Sequence, residues 1–216
     1  MPVRISAETI MGISWKGIFV TATDTGVGKT YVSALIAREL AEKGVNVGVM
    51  KPVFSGGAKS GDAVILKKAA RAKDELGLIN PVCLKYPLAP YVSAKLEKKI
   101  INLRDILRAY AELRKRHEFM IAEGIGGVLV PLKLNYFVAD LIKDLGLPAL
   151  IVTRPGLGTI NHSLMTVSIL ETRGVKIAGF VFNGRRHSGL AEKTNPKTIS
   201  ELSGYPVLAE IPFDRG

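Results

Sequence analysis

Short apolar runs that alternate with longer helix-like segments constrain the fold of this chain more than any other feature. The runs are almost continuously apolar, which is typical of strands buried on both faces of a parallel sheet. They cover residues 17–22, 45–52, 119–124, 148–155, 176–184 and 205–212. The segments between them predict helices over residues 29–44, 62–73, 102–117, 137–146 and 160–174. The pattern predicts an α/β fold, with a mostly parallel sheet covered by helices on both faces.

Residues near the predicted helix ends support these assignments. Gly44, Gly146 and Gly174 follow predicted helices, where a left-handed residue commonly ends the last turn. Asn102 precedes a predicted helix and has the side chain of an N-cap residue. No repeat or linker divides the 216 residues, so we expect residues 1–216 to form a single domain, with residues 1–16 as a possible N-terminal extension.

Composition narrows the classes of protein to be considered. The formal net charge is +11, but the Lys and Arg residues cluster on helix-like segments, as on solvated helix faces, and we expect no nucleic-acid or membrane partner. Cys83 is the only cysteine, which excludes an intramolecular disulfide and favours a reducing compartment. No apolar run reaches the roughly 20 residues that a membrane-spanning helix needs. We therefore expect a cytoplasmic protein.

The segment VTATDTGVGKTY, residues 20–31, lies between the first predicted strand and the first predicted helix. A phosphate-binding loop requires this context, because backbone N–H groups and the positive helix end attract phosphate. Lys29 adds a positive charge, and the Thr30 hydroxyl can bind Mg²⁺. The alternative is a tight strand-to-helix turn with a chance Gly-Lys-Thr. We favour nucleotide binding and a fold of the P-loop NTPase type.

Three charged residues follow other predicted strands or begin a predicted helix. Lys51 lies just past the end of the second strand, Asp62 begins the next helix, and Glu123 ends the third strand. Taken singly, Lys51 could be a solvated cation and Asp62 only an N-cap. A buried, unpaired Glu123 would be costly, however, and beside a phosphate loop it could share Mg²⁺ with Thr30 and Asp62.

The sequence does not decide the roles of two further turns. Gly156 and Gly158 precede a predicted helix, where backbone N–H groups could hold an anion, although an ordinary strand-to-helix turn has the same spacing. Asn183 follows an apolar run and is either a turn residue or an amide that reads a nucleotide base. Spacing does not decide between these interpretations.

These segments together resemble the dethiobiotin synthetase family through most of the chain. The resemblance is carried, in order, by TATDTGVGKT, MKPVFSGG, AEGIGGVLVPL, LPALIVTRPGLGTINHSLMT, AGFVFNG and AEIPFD. It implies a ligase that uses ATP and Mg²⁺ to close the ureido ring of dethiobiotin from 7,8-diaminononanoate and CO₂ or bicarbonate. The implied route passes through a carbamate and a carbamic–phosphoric anhydride, and releases ADP and phosphate.

The resemblance also implies roles for particular residues. Lys51 and Lys29 would be catalytic, and Thr30, Asp62 and Glu123 would bind the metal. Substrate would contact Thr25, Ser55, Gly158, Thr159 and Asn161. The nucleotide would contact Gly26, Val27, Gly28, Lys29, Thr30, Tyr31, Asp62, Glu123, Gly124, Ile125, Gly126, Asn183, Gly184, Ile211, Pro212 and Phe213.

The same resemblance implies a homodimer in which the turn at residues 158–161 of one subunit receives the substrate carboxylate of the other. Partition-type and septum-site ATPases are an alternative class, but they carry an extra Lys early in the loop, where this chain has Thr23-Asp24-Thr25. A cobyrinate-type amide synthase would add a glutaminase domain, for which the chain lacks both the length and a Cys–His pair. A regulatory nucleotide-binding protein without ligase activity is the remaining alternative.

Overall fold

A computed structural model describes residues 15–57, 60–185 and 189–212, with only the backbone of Arg185. Most of the predicted N-terminal extension therefore lies outside the described residues. The strands, in chain order, are β1 Gly17–Ala22, β2 Val47–Met50, β3 Val53–Ser55, β4 Val82–Leu84, β5 Phe119–Glu123, β6 Pro131–Lys133, β7 Tyr136–Phe137, β8 Ala149–Thr153, β9 Ile177–Arg185 and β10 Val207–Pro212. The helices are α1 Lys29–Glu42, α2 Gly61–Ala69, α3 Leu76–Ile79, α4 Pro90–Leu96, α5 Leu103–Arg116, α6 Val138–Leu145, α7 Thr159–Thr172 and α8 Leu190–Ser203.

The six predicted strands form one sheet in the order β10–β9–β8–β1–β5–β2, and every pairing in it is parallel. The prediction of an α/β fold with a parallel sheet is confirmed. Because parallel strands point the same way, the carboxyl ends of β8, β1, β5 and β2 lie side by side at one edge. The residues that follow these four strands are thereby brought together.

Helices cover both faces of the sheet. Along β1, Phe19 packs into one buried cluster, whereas Ile18 and Val20 pack into the other. The first cluster is completed by side chains of α5, α6 and α7, and the second by side chains of α1, α2 and α3. Burial on both faces explains why the strands are continuously apolar in the sequence.

The predicted helix ends agree with the structure. Gly44, Gly146 and Gly174 have φ values of 83°, 65° and 70°. Their N–H groups donate to carbonyls in the last turns of the preceding helices, those of Ala41, Lys143 and Glu171. The Asn102 side chain accepts a hydrogen bond from the Arg104 N–H at 3.1 Å and caps α5. Each of these residues satisfies backbone groups that a helix end would leave unpaired.

The structure corrects the sequence prediction in two places. The helix predicted to run to residue 73 ends at Ala69, because the chain turns at Arg71, whose φ is 54°. No helix was expected between residues 184 and 205, yet α8 occupies Leu190–Ser203 with Pro196 inside it. The pairs β3–β4 and β6–β7 and the short helices α3 and α4 are additional elements. Within the described ranges, no helix is long and apolar enough to cross a membrane.

Candidate active site

A cavity of about 560 Å³ opens at the carboxyl edge of the sheet, over the ends of β1, β2 and β5. It is lined by predicted site residues from four separate parts of the chain, namely Thr25, Gly26, Gly28, Lys29, Thr30, Lys51, Ser55, Asp62, Glu123, Ile125 and Gly126. The parallel sheet brings these residues together, as the sequence pattern predicts for an α/β fold.

The loop between β1 and α1 is held in its shape by glycine and by a side chain from a distant strand. Gly28 precedes the first residue of α1 with φ 96°, and the Val32 N–H donates to its carbonyl. A Cβ atom at this position would overlap the side-chain amide of Asn183. That amide donates to the Val27 carbonyl at 2.9 Å. The Asn183 side chain therefore contacts the loop backbone itself.

Lys29 is buried at the base of the cavity. Its ammonium donates to the Asp24 carbonyl at 3.4 Å. Burial and then the neighbouring Lys51 charge lower the Lys29 pKa to about 8, although Glu123 and Asp62 act in the opposite direction. Two ammonium groups therefore converge on this cavity, which suits a ligand with several negative charges.

Lys51 lies among three acceptors. Its Nζ atom is 2.6 Å from Glu123 Oε1, 2.8 Å from Asp62 Oδ2 and 3.0 Å from the Gly124 carbonyl. The Thr30 hydroxyl donates to the same Glu123 Oε1 at 2.8 Å. Lys51, Asp62, Glu123 and Thr30 thus form one connected polar network, which explains how a carboxylate is tolerated inside the protein.

The same network has the chemistry of a magnesium site. Glu123 Oε2 is buried and has no hydrogen-bond partner among the described residues, so one oxygen of this carboxylate is left to bind a cation. Thr30 and Asp62 supply two more oxygens beside it. The described ranges contain no group of three or more His, Cys, Asp or Glu side chains that could hold a metal. One or two carboxylates together with substrate phosphates are typical of Mg²⁺.

The cavity also has an apolar wall, which sequence reasoning did not identify. It is formed by Phe54, Pro87, Leu88, Ala89, Pro90 and Val130. The Ser55 hydroxyl donates to the Leu88 carbonyl at 2.7 Å and joins the two chain segments. The only sequence signal was proximity to Ser55 and the turn residues of YPLAP, and neither predicts which surface they face.

Some predicted nucleotide contacts lie outside this cavity. Val27 is buried in the core, Tyr31 is partly exposed on α1, and the Gly124 carbonyl is engaged by Lys51. Gly184 lies on β9, and Ile211 and Pro212 lie on the edge strand β10, where Ile211 is opposite Asn183 in the register. Phe213 is outside the described residues.

The predicted substrate turn before α7 is a separate surface from the cavity. Gly158 has φ 87° and precedes α7, Thr159 is buried, and Asn161 is exposed. Leu157, beside them, is almost wholly exposed. This turn lines no part of the cavity that contains Lys51.

Several solved structures share this fold. The chain is similar to a ParA family ATPase from Chlorobium tepidum, with 16% identity, a TM-score of 0.56 and coverage of 91% of this chain and 84% of the other. It is also similar to a chain of the MinC:MinD cell division complex from Aquifex aeolicus, with 15% identity, a TM-score of 0.58 and coverage of 93% and 83%. At these identities the similarity establishes the fold alone.

The fold and the site define a P-loop nucleotide-binding protein, and a family model described as an AAA domain matches residues 16–216. Relatives named ATP-dependent dethiobiotin synthetase BioD are 41% identical in Thermodesulfovibrio yellowstonii and 45% in Bacillus licheniformis, over 91% of this chain and 88% and 86% of theirs. A third, from Methanococcus vannielii, is 49% identical over 77% of this chain and 78% of its own. The chain belongs to the dethiobiotin synthetase family, whose members are ATP-dependent ligases of biotin biosynthesis.

Proposed function

We propose that this protein is an ATP- and Mg²⁺-dependent ligase that forms dethiobiotin from 7,8-diaminononanoate and CO₂. The observation that carries the proposal is the convergence of Lys29 and Lys51 on one cavity beside the phosphate-binding loop. Membership of the dethiobiotin synthetase family supplies the substrate class. A cytoplasmic location remains a prediction from the sequence.

The proposed reaction has three steps. One amino group of the substrate bonds to the carbon of CO₂ and loses a proton, which gives a carbamate. A carbamate oxygen attacks the γ-phosphorus of ATP and ADP leaves, which gives a carbamic–phosphoric anhydride. The second amino group then attacks the carbonyl carbon, phosphate leaves, and loss of a proton completes the ureido ring.

The side chains of the cavity suit this chemistry because phosphoryl transfer depends on positioning and positive charge. Lys29 would bind the phosphates and the carbamate from the loop, and Lys51 would stabilise the negative charge that develops on the transferred group. Thr25 and Ser55 line the same cavity and would orient the diamine. The backbone of residues 26–31 would hold the phosphates at the N-terminus of α1.

Magnesium would be held by Thr30, Asp62 and Glu123, and the free Glu123 Oε2 atom supports that assignment. When bound, Mg²⁺ neutralises phosphate charge and orients the γ-phosphoryl group. Lys51 donates to both carboxylates and so keeps these acids paired. The ends of β9 and β10, with Asn183, Gly184, Ile211 and Pro212, would lie around the adenine.

The apolar wall formed by Phe54, Pro87, Leu88, Ala89, Pro90 and Val130 would contact the aliphatic chain of the substrate. A chain of methylene groups gains most when it leaves water for such a surface. Its carboxylate must then lie some distance from the reacting amines. We assign that carboxylate to Gly158, Thr159 and Asn161 of a second subunit, in a homodimer.

An exposed apolar groove along α7 supports a homodimer. The groove has a volume of about 460 Å³ and includes Val128, Leu129, Pro131, Met165 and Ile169. Leu129 and Met165 are both about half exposed. Apolar side chains grouped in this way are typical of a subunit interface. The groove adjoins the 158–161 turn through α7, so burying it would bring that turn toward a partner.

The experiment that tests the function is product formation with an isotopic label. Purified protein is incubated with 7,8-diaminononanoate, ¹³C-bicarbonate, Mg²⁺ and ATP, and the products are analysed by mass spectrometry. We expect labelled dethiobiotin from the native protein and at least about a hundredfold less from Lys51→Met. Lys68→Met, which removes an exposed ammonium on α2, is the matched control and should retain activity.

Two outcomes would contradict the proposal. ATP hydrolysis without any labelled ring product would favour a partition-type or regulatory ATPase. Equal loss of product in Lys51→Met and Lys68→Met would show that Lys51 makes no specific contribution to the reaction.

A further inference from the structure

One buried hydroxyl links the phosphate-binding loop to the first turn of α7. Thr153 ends β8 and is only 1% exposed. Its Oγ1 atom is 3.0 Å from that of Thr23, at the start of the loop, and 2.7 Å from that of Thr159, the first residue of α7. The Ser163 hydroxyl, one turn further along α7, donates to Thr153 at 3.5 Å. The Thr153 hydroxyl is therefore the centre of the cluster.

The residues that follow Thr23 and Thr153 form a second contact between the loop and the end of β8. The Arg154 guanidinium is 3.0 Å from Asp24 Oδ2. Asp24 Oδ1 accepts the Thr25 N–H at 2.7 Å, and its carbonyl accepts from Lys29. Arg154 and Asp24 are both more than half exposed, so water and salt weaken this pair. The hydroxyl contact at Thr153 is better shielded from water than the ion pair.

A hydroxyl at position 153 can serve both neighbours because it has one proton to donate and two lone pairs that accept. A valine side chain has the same shape but can do neither. In a Thr153→Val variant, the buried Thr159 hydroxyl would lose its partner on β8, and Thr23 would keep only its backbone hydrogen bond to the Val152 carbonyl. The loop would then be held to the strand only by backbone contacts and by the exposed Asp24–Arg154 pair.

We propose that Thr153 is a positioning residue that holds the phosphate-binding loop and the first turn of α7 in one relative geometry. Thr153 lines no part of the cavity and acts through Thr23 on one side and Thr159 on the other. This inference extends the proposed function, in which Thr159 belongs to the turn that receives a substrate carboxylate. We expect nucleotide binding at the loop and carboxylate binding at the turn to favour each other, because a ligand that orders one of these elements also orders the other through Thr153.

The first test is the affinity for a non-hydrolysable ATP analogue with Mg²⁺, measured by isothermal titration calorimetry. We expect Thr153→Val to raise the Kd about tenfold, and Thr153→Ser, which keeps the hydroxyl, to remain within about twofold of the native value. Thr21→Val is the matched control. Thr21 is a fully buried threonine on the adjacent strand β1 whose hydroxyl has no hydrogen-bond partner in the described part of the chain, so its exchange should leave the Kd unchanged.

Steady-state kinetics distinguish a positioning role of Thr153 from a general loss of structure. For Thr153→Val we expect the KM for ATP to rise by a larger factor than kcat falls, with recovery in Thr153→Ser. A native Kd and KM in Thr153→Val would overturn the proposal, as would equal losses in Thr153→Val and Thr21→Val. If Thr153→Val does not fold, Thr23→Val removes the same hydrogen bond from the less buried side and is judged by the same measurements.

The coupling is tested by repeating the titration with saturating 7,8-diaminononanoate. In the native protein the diamine should lower the Kd of the ATP analogue, and in Thr153→Val this effect should be lost. A diamine effect of equal size in both proteins would overturn the coupling. The analogue titrations without diamine do not depend on the ligase activity, so they remain decisive even if the native protein forms no labelled dethiobiotin.

Discussion

Lys51 and Glu123 form an ion pair almost entirely out of contact with water, with 2.6 Å between Nζ and Oε1 and side-chain exposures of 3% and 0%. The two residues are 72 positions apart in the chain and meet because β2 and β5 are neighbours in the sheet. A charge in such a place must be paired, since an isolated buried carboxylate is strongly unfavourable. The pair therefore contributes to folding as well as to the site.

We predict that Lys51→Met lowers the free energy of unfolding by about 3 kcal/mol, because Glu123 is left buried without its cation. The double variant Lys51→Met/Glu123→Gln should recover part of that loss, since a neutral amide needs no counter-charge. Urea unfolding at pH 7 measures both values. Additive effects of the two single substitutions would show that the pair is not energetically coupled.

A second prediction concerns the pH dependence of nucleotide binding. The Lys29 pKa is lowered to about 8, mainly by burial, so the folded protein without nucleotide loses this positive charge between about pH 7 and 9. Phosphate favours the protonated form, so binding at pH 9 should take up close to one proton, whereas binding at pH 7 should take up almost none. Calorimetry of an ATP analogue in two buffers of different ionisation enthalpy measures the uptake.

The lowered Lys29 pKa also makes the free energy of unfolding depend on pH. The Lys29 pKa in the folded protein lies below its ordinary value of 10.5, so burial of the charged form opposes folding below about pH 8. That cost disappears as the pH rises from 8 to 10.5. For the binding measurement, Lys29→Arg is the control. Its guanidinium stays protonated throughout this range, so the proton uptake on binding of the ATP analogue should be near zero. Equal uptake in both proteins would contradict the assignment to Lys29.

The third prediction follows from the backbone of the phosphate-binding loop. Gly28→Ala should abolish measurable ATP binding, because φ 96° disfavours a side chain and its Cβ atom would overlap the Asn183 amide. Gly61→Ala is a matched control at the start of α2, where a Cβ atom meets no other described atom within 4 Å. Binding of ATP by Gly28→Ala with native affinity would show that the loop adjusts without Asn183.

A fourth prediction concerns Glu97, which organises the segment around α4. Its carboxylate accepts hydrogen bonds from Lys99 at 2.7 Å, the Lys85 N–H at 2.7 Å and Ser93 at 2.9 Å. The Lys99 hydrogen bond is the main cause that lowers the Glu97 pKa to about 2. The resulting stabilisation is present above about pH 4.5 and is lost as the pH falls toward 2.

Glu97→Gln should therefore lower the Tm at pH 7, and the difference from the native protein should shrink between pH 4.5 and pH 2. Thermal unfolding followed by circular dichroism measures this difference. Glu201→Gln, at an exposed position on α8, is the control and should change the Tm little at any pH. A difference that stays constant down to pH 2 would mean that the charge of Glu97 is not the cause.

The fifth prediction tests the homodimer. Met165→Glu places a charge in the apolar groove on α7 and should shift the protein toward monomers, because burying that charge between subunits is unfavourable. Light scattering coupled to size exclusion measures the mass. Leu202→Glu, on the exposed side of α8, is the matched control. A native protein that is monomeric at micromolar concentration would contradict the dimer, and with it the assignment of the 158–161 turn to a partner site.

Sequence and structure agree best where the information is local. The strand, loop and helix over residues 17–42 are contiguous, and their apolar pattern, glycines and Gly-Lys-Thr define the phosphate-binding loop without any distant contact. The same holds for Asn102 as a helix cap. Lys51 and Glu123 were identified because each follows a predicted strand, and parallel strands end at a common edge.

The sequence by itself determined the class of sheet, the phosphate-binding loop and the charged residues around it, because each of these signals is local to the end of one strand or the start of one helix. Only the tertiary structure decided which distant residues join them. Examples are the apolar wall that includes Phe54 and Leu88, the contact of Asn183 with the loop backbone, and the Thr23–Thr153–Thr159 hydroxyls. These contacts depend on strand order and on how segments pack, and neither is recorded in local spacing.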